Sequence, residues 1–297
     1  MAKPPWMKSI VSLSLTEYYC ASLAPGSAAL VRVRRGWRPK LVQKTLASGS
    51  VATASVGTAS IGAQGQPWLA ELGLLEGLLE EVRYKLPITI IISNYYVRYR
   101  LIPAPPLSMP TAEVQALMQH CFRETYGNAV DDWIIRANPL PGRGDVVACA
   151  VDRALIDGLG TLLRKSGLKL ESVQPYFMAG FNAACQRING SSSCFVQVEL
   201  GRIMIGTMRD NTWLGLRAVA ADGRWSEELP AHIGREILLA GWENESPAVF
   251  LDAPQAVQTF TLDGVHHLNM SRVPQRRVDG YSPLDDAPYA MALRGVR

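Results

Sequence analysis

The chain has 297 residues, of which 48% are hydrophobic and 19% charged, and a net charge of +4. That is too apolar for a disordered chain and enough for a sizeable core. A charge excess this small over this length leaves no nucleic-acid footprint. At about 150 residues per domain, the length suggests two domains or one large one. No apolar run approaches the roughly 20 residues that span a bilayer. The longest, Leu86 to Ile92, contains Pro87 and Thr89.

In chain order, Lys3 and Lys8 precede Ile10 to Leu15, which has the look of a weak secretion signal. Glu17 and the Tyr18-Tyr19 pair interrupt it, so Ser9 to Ser14 reads as a first strand. Ala29 to Val33 and Lys40 to Lys44 extend it into a meander, with Gly26 and Gly36 at the turns. Ala47 to Pro67 is rich in small residues and reads as a loop or one weak strand. Trp68, Leu72, Leu75, Leu79 and Val82 form one apolar helical stripe. Ile88 to Ser93 is a buried strand. Tyr95 to Ile102 is a further strand ending in a Pro-rich linker. Thr111 to Tyr126 is a helix stopped by Gly127.

Trp133 to Ala137 and Asp145 to Val151 read as a hairpin, and Asp152 caps a helix that ends before Gly167. A strand over Leu168 to Val173 and a helix from Pro175 to Asn189 follow. From Cys194 three strands recur, Cys194 to Leu200, Ile203 to Arg209 and Thr212 to Ala218. A helix over about Ser226 to Gly241 follows, with short strands at Ala248 to Leu251 and Val257 to Thr261. Pro288 to Arg294 makes a last helical turn.

The order strand-strand-strand-helix-strand therefore occurs twice, over residues 9–93 and 194–252. It is a duplication of architecture rather than of sequence. The expected organisation is a first lobe over residues 1–190, with an inserted subdomain at about 94–151, and a second lobe over 191–297.

Three stretches carry a resemblance to a known group. They are Leu86 to Ser93 with Val97-Arg98 and Pro103 downstream, Tyr126-Gly127 with Asp132-Trp133, and Leu168 to Pro175. Tyr289 to Arg294 adds a terminal helix. The whole resembles the PilM family and the cytoplasmic part of the GspL family, with the MshI-type proteins in the same group. The resemblance implies an α/β actin-like, RNase H-like fold of two lobes with an insertion in the first. It implies a scaffold of type IV pilus or type II secretion assembly at the inner membrane. PilM-type proteins receive a cytoplasmic peptide of a membrane partner in a groove on the first lobe and its insertion; GspL-type proteins hold the assembly ATPase. GspL-type chains continue into a transmembrane helix, whereas this one ends at Arg297. The expectation is thus a PilM-like cytoplasmic protein that meets the membrane only through its partners.

Actin-like ATPases cradle phosphates between two hairpins, with a carboxylate for magnesium and glycines for close backbone approach. The first hairpin position is read at Ser12 to Glu17 and holds no Asp-x-Gly. The second, Val198 to Arg202, keeps Glu199 and Gly201 between the bulky Leu200 and Arg202. Where an adenosine-binding Gly-Gly is expected stands Leu251-Asp252-Ala253-Pro254. Ser14, Glu199 and Gly201 would be all that remains of a nucleotide site. No cofactor, ATP hydrolysis or catalytic residue is expected. The rival is an actin-like ATPase with an atypical site around Ser14 and Glu199. Ser191 to Ser193 lacks the glycines of a nucleophile elbow. The five cysteines lack a CxxC pair and read as reduced thiols; the four histidines lack metal-ligand spacing.

Two surfaces could carry function instead. Tyr95, Tyr96, Arg98 and Tyr99, beside Arg100, combine residue types enriched at binding hot spots. They could equally pack on their own lobe. Arg32, Arg34, Arg35, Arg38 and Lys40 surround Gly36-Trp37. That run reads as a solvated hairpin turn or as a face for anionic lipid headgroups.

Overall fold

A computed structural model describes residues 17–49, 66–106, 108–137, 144–188, 192–253, 269–273 and 277–296. The strand expected at Ser9 to Ser14, Ser14 itself, most of the small-residue segment after Ala47, Ser191 and the strand at Val257 to Thr261 lie outside the described residues.

The first sheet has the order β3-β2-β1-β4-β8. Its strands are β1 (Glu17–Ala24), β2 (Ser27–Arg34), β3 (Lys40–Ser48), β4 (Pro87–Ile92) and β8 (Lys169–Pro175). The first three run antiparallel, and β4 and β8 add parallel to β1. The second sheet repeats this as β11-β10-β9-β12-β13. Its strands are β9 (Ser192–Glu199), β10 (Arg202–Arg209), β11 (Thr212–Ala220), β12 (Ala248–Asp252) and β13 (Asn269–Arg272). Again three antiparallel strands are followed by parallel additions. Between the halves, β5 (Val97–Ile102), β6 (Trp133–Ala137) and β7 (Val146–Asp152) make an antiparallel sheet in the order β5-β7-β6. The helix α2 (Thr111–Tyr126) packs on it through Met118, Cys121 and Phe122. This is the two-lobed α/β architecture that the resemblance implied.

The first hairpin turns at Gly26, as the sequence suggests, and the strand that leads into it is β1, downstream of Ser9 to Ser14. Strand β1 contains Tyr18, Tyr19 and Cys20, and it turns at Pro25-Gly26, where Gly26 takes φ 71°. Alternation fails there because the sheet is covered on both faces. Tyr19 packs toward α1 (Leu69–Glu80), with Leu75, Leu78 and Leu79. Tyr18 and Cys20 face Ala292, Leu293 and Val296.

That second layer is the C-terminal segment, so residues 278–296, expected with the second lobe, pack on the first sheet. There α6 (Ala290–Leu293) crosses β1, β2 and β4. The helix α3 (Arg153–Lys165) is capped as expected, the Asp152 carboxylate accepting from the Ala154 amide at 2.9 Å. The helix α4 (Tyr176–Ala184), expected as a linker, is a wedge. Phe177 and Phe181 meet Phe195 of β9 at 5.2 and 5.7 Å between ring centroids. Phe181 also lies against Trp213, the rings tilted by 49° with centroids 4.6 Å apart. The last helix of the second lobe, α5 (Trp225–Leu239), covers its sheet with Leu229 and Ile233.

Candidate functional site

In sheets of this kind ligands gather at the carboxyl ends of the parallel strands. Here β4 ends at Ile92 and continues into Ser93 and Asn94, both fully buried. Asn94 to Tyr96 is a short 3-10 turn capped by Ser93, so the strand expected from Tyr95 starts at Val97. Ser93 accepts from the Tyr95 amide at 3.1 Å and donates to the Glu199 carboxylate at 2.7 Å.

Glu199 ends β9, and Leu200-Gly201 turns the chain into β10, with Gly201 at φ 76°. Tyr95 Oη donates to the Gly201 carbonyl at 3.2 Å, and Arg202 lies 4.2 Å from the centre of the Tyr95 ring. Arg202 also donates to the Asn94 carbonyl at 2.7 Å. The second hairpin is thus clasped by the turn that follows β4. Burial pushes the Glu199 carboxyl up to about 7, against the opposing pull of the Ser93 hydrogen bond and Arg202.

A chain of buried amides continues from there. The Asn94 side chain donates to Gln197 Oε1 at 3.0 Å and accepts from Tyr99 Oη and from the Phe177 amide. Gln197 Nε2 donates to the Tyr176 carbonyl at 3.0 Å and to Asp252 Oδ2 at 2.9 Å. Asp252 closes the chain in an ion pair with Arg294, which follows α6 on the first lobe. Gly180 lets α4 approach: a Cβ there would run into Gln197 and Asp252.

At the other hairpin the Gly26 amide donates to the buried Glu71 carboxylate at 2.9 Å. In an actin-like ATPase such an amide faces a phosphate; here a carboxylate of the chain's own α1 accepts from it. Glu199 is likewise held by Ser93, and Asp252 by Gln197 and Arg294. Of the three stretches where phosphate-site residues are expected, Glu199 of the second and Asp252 of the third bond within the chain, and Ser12 to Thr16 of the first lie outside the described residues. Glu199 and Gly201 come together at the second hairpin, as their sequence spacing requires. Among the described residues, no cluster of His, Cys, Asp and Glu has the form of a metal site.

Of the tyrosines expected at a partner surface, Tyr96 is buried, and Tyr95 and Tyr99 are half-buried with their hydroxyls bonded within the chain. The Tyr96 hydroxyl has no partner among the described residues. Tyr99 packs edge-on against Phe177 at 5.7 Å. Tyr95 serves the hairpin clasp, and Arg98 is half-buried over the Trp133 ring at 5.6 Å. Burial holds the hydroxyls of Tyr95, Tyr96 and Tyr99 above their ordinary range. The cause is geometric: the 3-10 turn rotates this segment into the joint between the lobes.

A groove of about 510 Å³ opens between the insertion and α4, on the face of the inserted sheet that carries Tyr99. One wall is Ile134 and Arg136 of β6 with Val147 and Cys149 of β7. The other is Pro175 with Met178 and Asn182 of α4. Ile92 and Val173, at the ends of β4 and β8, line it as well. The lining is mainly apolar, and Arg136, Gln174 and Asn182 add polar groups. Burial raises the Cys149 thiol to about 12, so it stays protonated and behaves as an apolar group.

A two-lobed α/β chain with twinned five-stranded sheets of this order has the actin-like fold. Solved structures agree. The chain is similar to a structure of the PilM–PilN type IV pilus biogenesis complex, at TM-score 0.65 and 16% identity, over 93% of this chain and 96% of that one. It is also similar to the cytoplasmic domain of EpsL, an inner-membrane component of the type II secretion system of Vibrio cholerae. That match has TM-score 0.52 and 11% identity, over 94% and 92% of the two chains. A Bacteroides thetaiotaomicron protein with an actin-like ATPase fold and unknown function matches at TM-score 0.55 and 10% identity, over 98% and 99%. No protein-family profile and no curated protein sequence matches the chain. At these identities the likeness establishes the fold.

Proposed function

We propose that this chain is a non-catalytic scaffold of a pilus or type II secretion assembly platform, working on the cytoplasmic side of the inner membrane. In this reading the groove between the inserted sheet and the β8–α4 corner seats a short apolar segment of an inner-membrane partner. The single observation that carries it is that groove: preformed, mainly apolar, with a few polar groups to orient a ligand. The likeness to a PilM–PilN complex and to the EpsL cytoplasmic domain supports the setting. In the same reading the interlobe joint replaces a nucleotide site, and the two lobes move as one body. Contact with an assembly ATPase would be a second engagement on the outer surface of the lobes.

The test uses labelled peptides covering the cytoplasmic segments of the inner-membrane proteins encoded with the pilus and secretion genes of the same genome. Fluorescence anisotropy is expected to find at least one binder. Met178→Arg places a charge in the groove and should weaken that binder by tenfold or more, since a buried unpaired charge costs several kcal/mol. Equal binding by Met178→Arg would remove the groove from the account. A melting scan with millimolar Mg-ATP separates the rival: the scaffold predicts no shift, whereas a ligand at about 100 times its Kd adds about 2.7 kcal/mol and moves the midpoint.

A further inference from the structure

We infer that the tip of the β2–β3 hairpin is a docking site for an anionic lipid bilayer. Trp37 stands at this tip with 99% of its surface exposed. Among the described residues the other exposed large hydrophobic side chains lie between 41% and 72%, so this indole stands apart in touching almost nothing of its own chain. It is flanked by Arg35 and Arg38, both exposed. Nearest below it, Arg32 and Arg34 share Glu17. Arg35 leans on the Tyr18 ring at 5.0 Å, and neither it nor Arg38 makes an ion pair with any described residue.

The surroundings extend the same charge. Arg34 pairs with Glu17 at the start of β1, so the tip lies at the end of the first sheet where the parallel strands begin. The groove lies at the end where they finish, with Ile92, Val173 and Pro175. The loops that enter β4 and β8 therefore share the tip's end, and they expose Arg83, Lys85 and Lys169. Arg277 precedes Asp279, which bonds to Pro39 and Leu41 beside Arg38. Acidic groups at this end are Glu17, already paired, with Glu80, Glu81, Glu171 and Asp279 on the surface. The balance is basic.

An indole held out among guanidiniums suits the headgroup layer. Trp prefers the interface between lipid and water, where its ring is half solvated. Arg beside it gains from the negative surface potential of anionic lipids. Each signal alone is weak, and together they give reversible binding. This contact does not depend on the peptide groove, and the opposite positions of the two leave both free to act at once.

The test is co-sedimentation of the full chain with vesicles of phosphatidylcholine alone or mixed with phosphatidylglycerol, at low and at physiological salt. The expected result is partition onto the mixed vesicles only, weakened by salt. Near such a surface each cationic residue contributes about fivefold. Arg35→Gln with Arg38→Gln should therefore lower partition about 25-fold at low salt. Trp37→Ala should lower it on the same vesicles and should abolish the quenching of tryptophan emission by shallow brominated lipid. These side chains are exposed, so the variants should melt with the wild type, and a shifted melt would disqualify that variant in favour of Trp37→Ser. Equal partition of wild type and variants would overturn the assignment, as would no partition onto the anionic vesicles. Binding of a single-stranded oligonucleotide that the same substitutions abolish, without vesicle binding, would reassign the tip to nucleic acid and overturn it too.

Discussion

Arg294→Met should unfold the joint between the lobes. Asp252 and Arg294 form an ion pair whose side chains are 1% and 2% accessible. Asp252 belongs to β12 of the second sheet, and Arg294 follows α6 on the first. Removing the guanidinium leaves a carboxylate buried with the Gln197 amide as its neighbour at 2.9 Å. One hydrogen bond does not replace a paired charge, so the expected cost is about 3–5 kcal/mol. At roughly 2–4 °C per kcal/mol for a large domain, the melting midpoint should fall by about 10 °C. Asp252→Asn placed on Arg294→Met should recover most of this loss, because the neutral amide no longer needs a cation and can still meet Gln197. Urea titrations of the four members of this cycle measure the coupling. A loss below about 1 kcal/mol in Arg294→Met, the size of a solvent-screened pair, would refute the reasoning.

Three further outcomes follow from the joint and from the first hairpin. Glu199 has an ordinary carboxyl value of 4.5 in the unfolded chain and about 7 when folded. Protons are held more tightly by the folded state, so stability should be full below about 4.5 and fall as pH rises toward 7, by about 3 kcal/mol in all. Glu199→Gln should flatten that slope and be the more stable protein at pH 8, read by urea midpoints against pH; a parallel slope in the variant would contradict the assignment. Gly180→Ala forces a methyl group against Gln197 and Asp252 and should cost about 1–3 kcal/mol, whereas Gly223→Ala, with open space around it, should change little. Glu71→Ala should cost about 1–3 kcal/mol by leaving the Gly26 amide unpaired, as thermal unfolding would record.

Much of the fold was legible because its elements follow simple periods. The α2 helix runs from Thr111 to Tyr126 as its stripe predicts, and Asp152 caps α3. The start of the chain was not legible for a definite reason. Both faces of β1 are covered, so Tyr18 and Tyr19 break the alternation that marks a half-buried strand, and the alternating Ser9 to Ser14 reads as the strand before the Gly26 turn instead. The likeness of the two halves could be read from element order alone. The destination of the C-terminal turn could not, since nothing in Tyr289 to Arg294 says which sheet it crosses.

The joint was half visible. Glu199 and Gly201 stood out as relics of a phosphate hairpin. Gln197, Asn94 and Asp252 carry a signal of their own: each is a polar residue at or near the end of an apolar strand. Polar groups in such runs are retained where they find partners. Arg294 has no local signal, because its partner lies 42 residues away on the other lobe. The packing of Tyr95 to Tyr99 within the chain is one of the two readings their composition allows. Their composition suits an interface, and they do form one, but it is internal. The groove itself is assembled from β6, β7, α3, β8 and α4, and no stretch of sequence displays it.

The most direct test of the scaffold reading is a photo-crosslinking amino acid placed at Met178 of the full chain in living cells. The account predicts a crosslink to the cytoplasmic segment of an inner-membrane pilus or secretion protein, mapped by mass spectrometry, and its loss when Val147→Arg blocks the groove. Crosslinks unchanged by Val147→Arg, or a groove that captures no membrane protein while Mg-ATP raises the melting midpoint by several degrees, would contradict it.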